Sequence, residues 1–321
     1  MTFAGSPDRV EARLVPELGY EFDAFAVSGL PRRPGPRLLR ATGQALAAPL
    51  ACLRILRRRR PDAVLGAGGY VAGPMVLAAR LSRIPCALTE ADAHLGLANR
   101  LAAPLAERVF LALPLGLHGE KYRAVGRPIP AASQAVGRDE ARDRLGLPED
   151  ARVVLVFGGS LGARLLNELA LDAWAESGPA VIHLCGERDY PGLSGRVTRS
   201  DYILRPFIDA IGVAYGAADV ALARAGGSVW ELAAAALPAV LVPGSFATGN
   251  HQEKNARWFV DAGGAVVVPE TEATRAPQVV EELLRDADRL AAMATAMRAV
   301  AKPHAAEEIA DELVSLAAAR R

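Results

Sequence analysis

Short aliphatic and β-branched runs alternate along this chain with longer stretches whose apolar positions recur at helical spacing. In the first half the runs Thr2–Ala4, Glu21–Val27, Asp62–Leu65, Cys86–Thr89, Arg108–Leu111 and Tyr122–Val125 read as strands. Helices are expected to begin near Arg9, Arg37, Val71 and Leu97. In the second half the strands are Arg152–Phe157, Ala180–Leu184, Tyr202–Leu204, Val220–Ala223, Ala239–Val242 and Ala265–Val268, with helices from about Ala163, Ile208, Ser228, Gln252 and Pro277. Such alternation predicts an α/β protein with parallel sheets covered on both faces. Between residues 127 and 150 the pattern lapses into prolines, small residues, a short charged helix and a Leu147-Pro148-Glu149-Asp150 turn, which suits a linker. Two doubly wound, Rossmann-like domains follow, 1–130 and 131–321, expected to face each other across a cleft with ligands at the strands' carboxyl ends. Glu307–Arg321 is an Ala/Leu/Glu helix, a candidate to pack back on the first domain. The chain opens on a strand and turn, Met1–Ser6. The strand–Gly-rich loop–helix unit that normally begins such a domain is expected to be missing from it.

Composition narrows the class. Hydrophobic residues are 51% and charged residues 23%, which excludes intrinsic disorder. The net charge of +1 conceals a split: residues 1–130 carry 18 Lys+Arg against 10 Asp+Glu, and the rest carry 19 against 26. A basic first half suits an anionic surface, nucleic acid or membrane, as well as a merely solvated arginine-rich face. Residues 36–60 combine apolar side chains with Arg37, Arg40, Arg54 and Arg57–Arg60, a composition that fits a basic amphipathic helix on an anionic leaflet. Apolar runs such as Ala45–Leu53 are far shorter than the ~20 residues of a spanning helix, and no leader pattern opens the chain. Cys52, Cys86 and Cys185 form no C-x-x-C pair and lack metal-ligand spacing to histidine, so a reducing compartment and no structural zinc are expected. Asp286-Ala287-Asp288 reads as solvated helix surface rather than a metal site.

Four turns carry candidate chemistry. Val153–Phe157 runs into Gly158-Gly159-Ser160-Leu161-Gly162-Ala163 and a helix bearing Asn167. Its glycines allow close backbone approach to a phosphate, the helix N-terminus offers N–H groups, and Ser160 adds a hydroxyl; a plain βα turn is the alternative. Asp219–Arg224 leads to Gly226-Gly227-Ser228 and a helix with Glu231 one turn in. Glu231 can accept hydrogen bonds from a ribose diol, or can reach back as the partner of a Ser228 cap. Pro243–Asn250 precedes His251-Gln252 and Asn255, amides and a ring that can read sugar hydroxyls or simply order a loop. In the first half, Gly66–Pro74 is another strand–glycine turn–helix, and Glu90, Asp92 and His94 gather at a strand's carboxyl end, where a general base or a turn-ordering group belongs.

The set, in its order, resembles the MurG family of peptidoglycan N-acetylglucosaminyltransferases. The resemblance is carried by Glu11-Ala12 with Leu14-Val15-Pro16, Gly68-Gly69-Tyr70-Val71-Ala72-Gly73-Pro74, Gly158–Arg164 with Asn167, Pro206-Phe207-Ile208-Asp209, Arg224-Ala225-Gly226, Glu231, and His251-Gln252 with Asn255-Ala256. It implies the two-domain GT-B fold and an inverting, metal-independent hexosyltransferase. Such an enzyme moves N-acetylglucosamine from UDP to undecaprenyl-diphospho-muramoyl-pentapeptide, lipid I, giving lipid II. No cofactor is implied, UDP-N-acetylglucosamine being the donor substrate. The implied partners are that donor, an undecaprenyl-linked acceptor and an anionic membrane surface, not nucleic acid, and the implied place is the cytoplasmic face of the membrane.

The resemblance also distributes roles. Gly159 and Ser160 hold the diphosphate, Ile208 flanks the uracil, Gly226, Gly227 and Ser228 border the nucleotide, Glu231 holds the ribose, and Gln252 contacts the sugar. Departures accompany it. The family's N-terminal Gly-rich loop ending in His has no counterpart in this sequence. Its His-Glu-Gln-Asn stretch reads Thr89-Glu90-Ala91-Asp92, so Asp92 stands where the sugar-contacting Asn is expected. Its Gly-Asn-Pro-Val-Arg reads Gly126-Arg127-Pro128-Ile129-Pro130, with Arg127 as the candidate replacement for a nucleotide-site arginine. Glu90 and Asp92 are accordingly the candidate bases. A transferase with another lipid acceptor, or a catalytically silent UDP-sugar-binding relative, is compatible with the same donor motifs; the Gly68–Pro74 run argues against a UDP-sugar epimerase.

Overall fold

The computed structural model describes residues 1–28, 35–159, 162–244 and 251–320, with the side chains of 36–40 and 251 outside that description. The chain divides into two compact units, Met1–Val125 with Ala306–Arg321, and Gly126–Ala305. The division falls at Val125/Gly126 where the sequence reading put it at 130, and the C-terminal helix belongs to the first unit. Both units are Rossmann-like α/β, every strand pairing being parallel.

In the first unit β1 (Thr2–Gly5), α1 (Glu11–Glu17) and β2 (Glu21–Ala24) form a two-stranded parallel sheet. A 24-residue helix, α2 (Pro36–Arg59), follows. Proline at its first position needs no N–H partner there, and it ends on Arg60 in the left-handed conformation. Ala41, Ala48, Cys52 and Leu56 recur at near-helical spacing and are buried. Ala48, Cys52 and Leu56 pack with α3 (Gly69–Leu81), whose Ala72, Met75, Val76 and Ala79 face the same core. β3 (Val64–Gly66), β4 (Cys86–Glu90), β5 (Arg108–Leu111) and β6 (Tyr122–Ala124) form the second sheet in sequential order, with α4 (Leu97–Ala102) lying between β4 and β5 in the chain. Two charged side chains tie the end of α2 to β2: Arg59 donates from Nε to Asp23 at 2.8 Å and from Nη1 to Glu21 at 2.6 Å, and Arg58 also reaches Asp23. Those arginines, counted in the sequence as part of a basic surface, are therefore engaged within the fold. The thiols of Cys52 and Cys86 are both pushed up to about 12 by burial and stay protonated and inert.

The second unit holds α5 (Arg138–Leu145), β7 (Val153–Phe157), α6 (Arg164–Trp174), β8 (Ala180–Leu184), α7 (Tyr190–Leu193), β9 (Tyr202–Arg205), α8 (Ile211–Ala217), β10 (Val220–Ala223), α9 (Val229–Ala234), β11 (Ala239–Leu241), α10 (His251–Asp261), β12 (Ala265–Val267), α11 (Ala276–Arg285) and α12 (Ala287–Val300); α13 (Ala305–Ala318) returns to the first unit. Its six strands run β12-β11-β10-β7-β8-β9. β7 lies between β8 and β10, and all five of its residues are buried, as a central parallel strand covered on both faces requires. The strand order reverses direction between β7 and β10. In such sheets ligands bind outside the carboxyl ends at that switch point. The loops after Phe157 and after Ala223, the two strongest motifs of the sequence, emerge side by side there.

α7 escaped the sequence reading, being only four residues long. The Asp286–Asp288 triplet turns out to hold a helix cap: Asp286 Oδ1 accepts the Arg289 N–H at 2.9 Å at the start of α12.

Candidate functional site

The loop after β7 is shaped by contacts that leave no room for a side chain. Gly159 and Gly162 have φ of +91° and +72°, and a Cβ on Gly162 would stand 2.1 Å from the Cys185 carbonyl oxygen. Ser160 and Leu161 lie outside the described residues. The loop delivers Ala163 to the start of α6, an 11-residue helix with no side-chain cap. Its first-turn N–H groups lack intrahelical partners and carry the positive end of the helix dipole.

A buried polar chain holds this loop from beneath. Asn167 Nδ2 donates to the Cys185 carbonyl at 3.0 Å and to Asp189 Oδ2 at 3.1 Å. Both amide hydrogens are thereby used, so Oδ1 faces His183 Nε2, 3.1 Å away, as acceptor. His183 therefore carries its proton on Nε2, and its Nδ1 accepts from the Tyr202 hydroxyl at 2.9 Å. Burial lowers the His183 pKa to about 3, and the ring is neutral. Asp189 is held down to about 2 by hydrogen bonding to Arg188, with Arg164 adding to it. Sequence reading singled out Asn167 but missed its partners, because His183 and Tyr202 sit inside strands as ordinary core positions.

The pH dependence follows from His183. An unfolded histidine takes a proton near 6.5, the folded one only near 3, so in between the unfolded state binds more protons. Stability from this group is complete above pH 6.5 and is lost as pH falls toward 3. Its slope in that window approaches about 1.4 kcal/mol per pH unit. Denaturant unfolding between pH 4.5 and 6 (roughly the middle of the window) should show a shallower slope for His183→Gln than for the unmodified protein. Equal slopes would refute the neutral buried ring.

After β10, Gly226, Gly227 and Ser228 lead into α9. Ser228 makes no side-chain cap, so the Ser228–Glu231 capping pair is absent. Glu231 instead turns to Tyr215, whose hydroxyl donates to Oε2 at 2.9 Å. Tyr215 is buried, and its ring meets Phe157, the last residue of β7, edge-on at 6.1 Å. The carboxylate is thus fixed from behind by a rigid aromatic arm that nothing in the local sequence announced. Over Gly227 lies a second unforeseen constraint. A Cβ there would come within 2.2 Å of the Arg127 guanidinium carbon. Arg127 therefore rests against the glycine turn. Arg224, in the same motif, donates to the Val242 carbonyl at 3.1 Å and pairs with Glu270 at 2.7 Å, bracing the strand ends.

The remaining second-unit residues gather at the same strand ends. Gln252 Oε1 accepts the Gly244 N–H at 2.7 Å, orienting its amide at the start of α10. Residues 245–250 and the His251 side chain lie outside the described part. Ile208 is half-buried in the β9–α8 connection, beside exposed Phe207. The helix begins at Ile211, three residues later than expected, and leaves Ile208 on a loop.

In the first unit, Glu90 ends β4 and is buried. Its Oε1 accepts the Asp92 N–H at 3.3 Å; Oε2 accepts the Gly96 N–H and the Asn99 amide, at 2.8 and 2.9 Å. Both oxygens are engaged in shaping the 91–96 turn, the turn-ordering role weighed for it above. Asp92, two residues on, is half-buried. Asn99 also donates to the Thr89 carbonyl at 2.9 Å and stands beside Gly68 of the glycine-rich run, so the two first-unit motifs share one polar knot. Among the described residues no group of three His, Cys, Asp or Glu is arranged to hold a metal ion.

Comparison with known proteins bears on the family and the fold. The glycosyltransferase family 28 N-terminal domain matches residues 2–111, and the family 28 C-terminal domain matches 153–312. The UDP-N-acetylglucosamine–N-acetylmuramyl-(pentapeptide) pyrophosphoryl-undecaprenol N-acetylglucosamine transferase of Halothermothrix orenii is 35% identical over 94% of this chain and 87% of its own. That of Nocardioides sp. is 40% identical over 98% and 89%. Among solved structures, Acinetobacter baumannii MurG superposes with a TM-score of 0.78 at 28% identity, covering 98% of this chain and 90% of that one. A Neisseria meningitidis UDP-GlcNAc 2-epimerase shares the fold alone, at 14% identity and a TM-score of 0.61. Matched by both domain models, and aligned almost end to end with relatives that all bear one name, the chain belongs to glycosyltransferase family 28 and, within it, to the MurG family of N-acetylglucosaminyltransferases.

Proposed function

We propose that this protein moves N-acetylglucosamine from UDP-N-acetylglucosamine to the 4-hydroxyl of undecaprenyl-diphospho-muramoyl-pentapeptide, forming lipid II with inversion. The observation that carries the donor half is the switch-point arrangement of the second unit. There an uncapped helix N-terminus, the Arg127 guanidinium and a carboxylate fixed by Tyr215 all stand at neighbouring strand ends. Diphosphate goes to the glycine loop with Gly159 and Ser160, and the nucleotide lies along Gly226, Gly227 and Ser228. The ribose diol donates to Glu231, uracil lies against Ile208, and the Gln252 amide reads the sugar. Asp92 contacts the sugar and takes the proton as the muramoyl oxygen attacks the anomeric carbon. The bond to the UDP oxygen breaks, and its electron pair becomes leaving charge opposite the α6 N–H groups and Arg127. Glu90, already saturated by N–H donors, orders the loop that carries Asp92.

The test is calorimetric titration with UDP-N-acetylglucosamine, with UDP-glucose as control and EDTA present, followed by transfer to lipid I. Selective binding and transfer are expected. A folded sample that binds neither nucleotide sugar would overturn the donor reading, and binding without transfer to lipid I would overturn the acceptor.

We further propose that the first unit docks on an anionic leaflet, at the cytoplasmic face. No helix among the described residues is long and apolar enough to cross a membrane. α3 and α4 pack against each other and expose Leu77 and Leu81, and Leu97 and Leu101, each pair one turn apart. Arg80, Arg83 and Arg100 are exposed on the same two segments. Exposed leucines flanked by arginines suit insertion among headgroups. Leu97→Ser/Leu101→Ser should weaken binding to phosphatidylglycerol vesicles at least about tenfold, since each buried leucine is worth about 1.5–3 kcal/mol. Unchanged co-sedimentation would place the docking face elsewhere, the exposed Leu46 and Leu50 of α2 being next to test.

A further inference from the structure

The second unit has a concave site at the end of its sheet opposite the donor loops. Residues just before β7, β10 and β11, including the turn that follows α9, line a cavity of about 420 Å³, together with parts of α8 and α12. Three arginines, Arg138, Arg152 and Arg298, reach it against a single carboxylate, Asp219. That carboxylate is already committed. Its Oδ1 accepts Arg138 at 2.7 Å, and its Oδ2 accepts the Val153 N–H at 2.7 Å and the buried Arg142 at 3.2 Å. Arg152 and Arg298 are exposed and enter no ion pair among the described residues. Most of the remaining lining is alanine, leucine and proline. Strong positive potential over an apolar wall is the chemistry of a site for a compact anion with an apolar body. Several guanidiniums converging on one place suit the multiple oxygens of a phosphate better than one carboxylate.

The cavity also shares parts with the donor site. Tyr215 lines it, and the same residue holds Glu231 through its hydroxyl and Phe157 through its ring. Ala235 and Ala236 line it too, and they end the helix, α9, on which Glu231 stands. Ala236 has φ of +53°, a conformation costly for a residue with a Cβ, so this turn is a place where a ligand can shift the backbone.

We propose that this cavity is a second ligand site, taking a small phosphomonoester with an apolar body, and that its occupation changes donor affinity through Tyr215 and α9. Only the second half rests on the donor-site reading given above. Phenyl phosphate is the probe, titrated into the full chain by calorimetry with and without saturating UDP. Binding is expected in both conditions and should weaken as salt rises. The Arg152→Ala/Arg298→Ala variant, altered at two exposed positions outside the donor machinery, should bind phenyl phosphate at least about tenfold more weakly while binding UDP like the unmodified chain. Saturating phenyl phosphate should shift UDP affinity at least about threefold in the unmodified chain and not in the variant, since coupling free energies give shifts of this order and larger. Equal phenyl phosphate binding by both proteins, or none at millimolar concentration, overturns the site. Binding to the arginines with unchanged UDP affinity supports the site and overturns the coupling. A chain that binds phenyl phosphate but not UDP upholds the cavity while the donor reading fails.

Discussion

Asp92→Asn is expected to reduce kcat for transfer to lipid I by about 10²–10⁴, the range lost when a positioned base can no longer take a proton. UDP-N-acetylglucosamine affinity should stay within about twofold, because asparagine keeps a hydrogen-bonding oxygen of the same reach. The substitution is expected to keep the sugar contact and remove only the proton acceptor. Glu90→Gln should behave differently. It places an NH2 group where the backbone N–H groups of Asp92 and Gly96 and the Asn99 amide now donate. Its expected cost is about 1–3 kcal/mol of stability, as for a buried donor left unsatisfied, with turnover affected only through loop disorder. Single-turnover transfer and thermal unfolding of the two variants separate the roles. Full turnover by Asp92→Asn removes it as the base.

The second large effect is expected at Glu231. Hydrogen bonds to a charged acceptor are worth about 1.5–3 kcal/mol each, so losing two from a ribose diol predicts a fall in kcat/KM of roughly 10²–10⁴ for Glu231→Ala. Tyr215→Phe keeps the carboxylate and removes only the hydroxyl donor at 2.9 Å. It should cost about tenfold, the equivalent of one hydrogen bond of about 1.4 kcal/mol. A 2′-deoxy donor makes the assignment specific. If Glu231 holds the ribose, the unmodified enzyme discriminates against it and Glu231→Ala does not. Equal discrimination by both proteins would mean that Glu231 serves the fold alone.

These two residues also show where sequence reading stops. Hydrophobic alternation located the described strands to within a few residues; the central ones, such as β7 and β10, are legible because strands buried on both faces must be continuous apolar runs, and helices must carry a stripe at their own period. The glycine turns were legible for the same local reason: Gly159 and Gly162 adopt φ values that disfavour other residues. Motif order was enough for the family, since the Gly158–Ala163 loop, the Gly226–Glu231 turn and the Gly68–Pro74 run are each contiguous in the chain.

What the sequence alone determined, then, is the alternating α/β architecture with its two domains, the family and the list of residues at strand ends. Tertiary structure decided what several of those residues pair with. Glu90 and Asp92 are near-equivalent carboxylates in the sequence, yet folding commits Glu90 to three N–H groups, one of them nine residues away in the chain. Ser228 and Glu231 have the spacing of a capping pair, but Tyr215, 16 residues upstream, claims the carboxylate. Arg58 and Arg59 look like part of a basic face until Asp23, 35 and 36 residues earlier, and Glu21 are found to pair with them. Arg127 is one more arginine after a glycine until its guanidinium is found on Gly227. The physical reason is common to all four. Backbone conformation is governed by neighbours in the chain, whereas a buried polar group must find a partner wherever the fold provides one, and that partner is set by packing across long sequence separations.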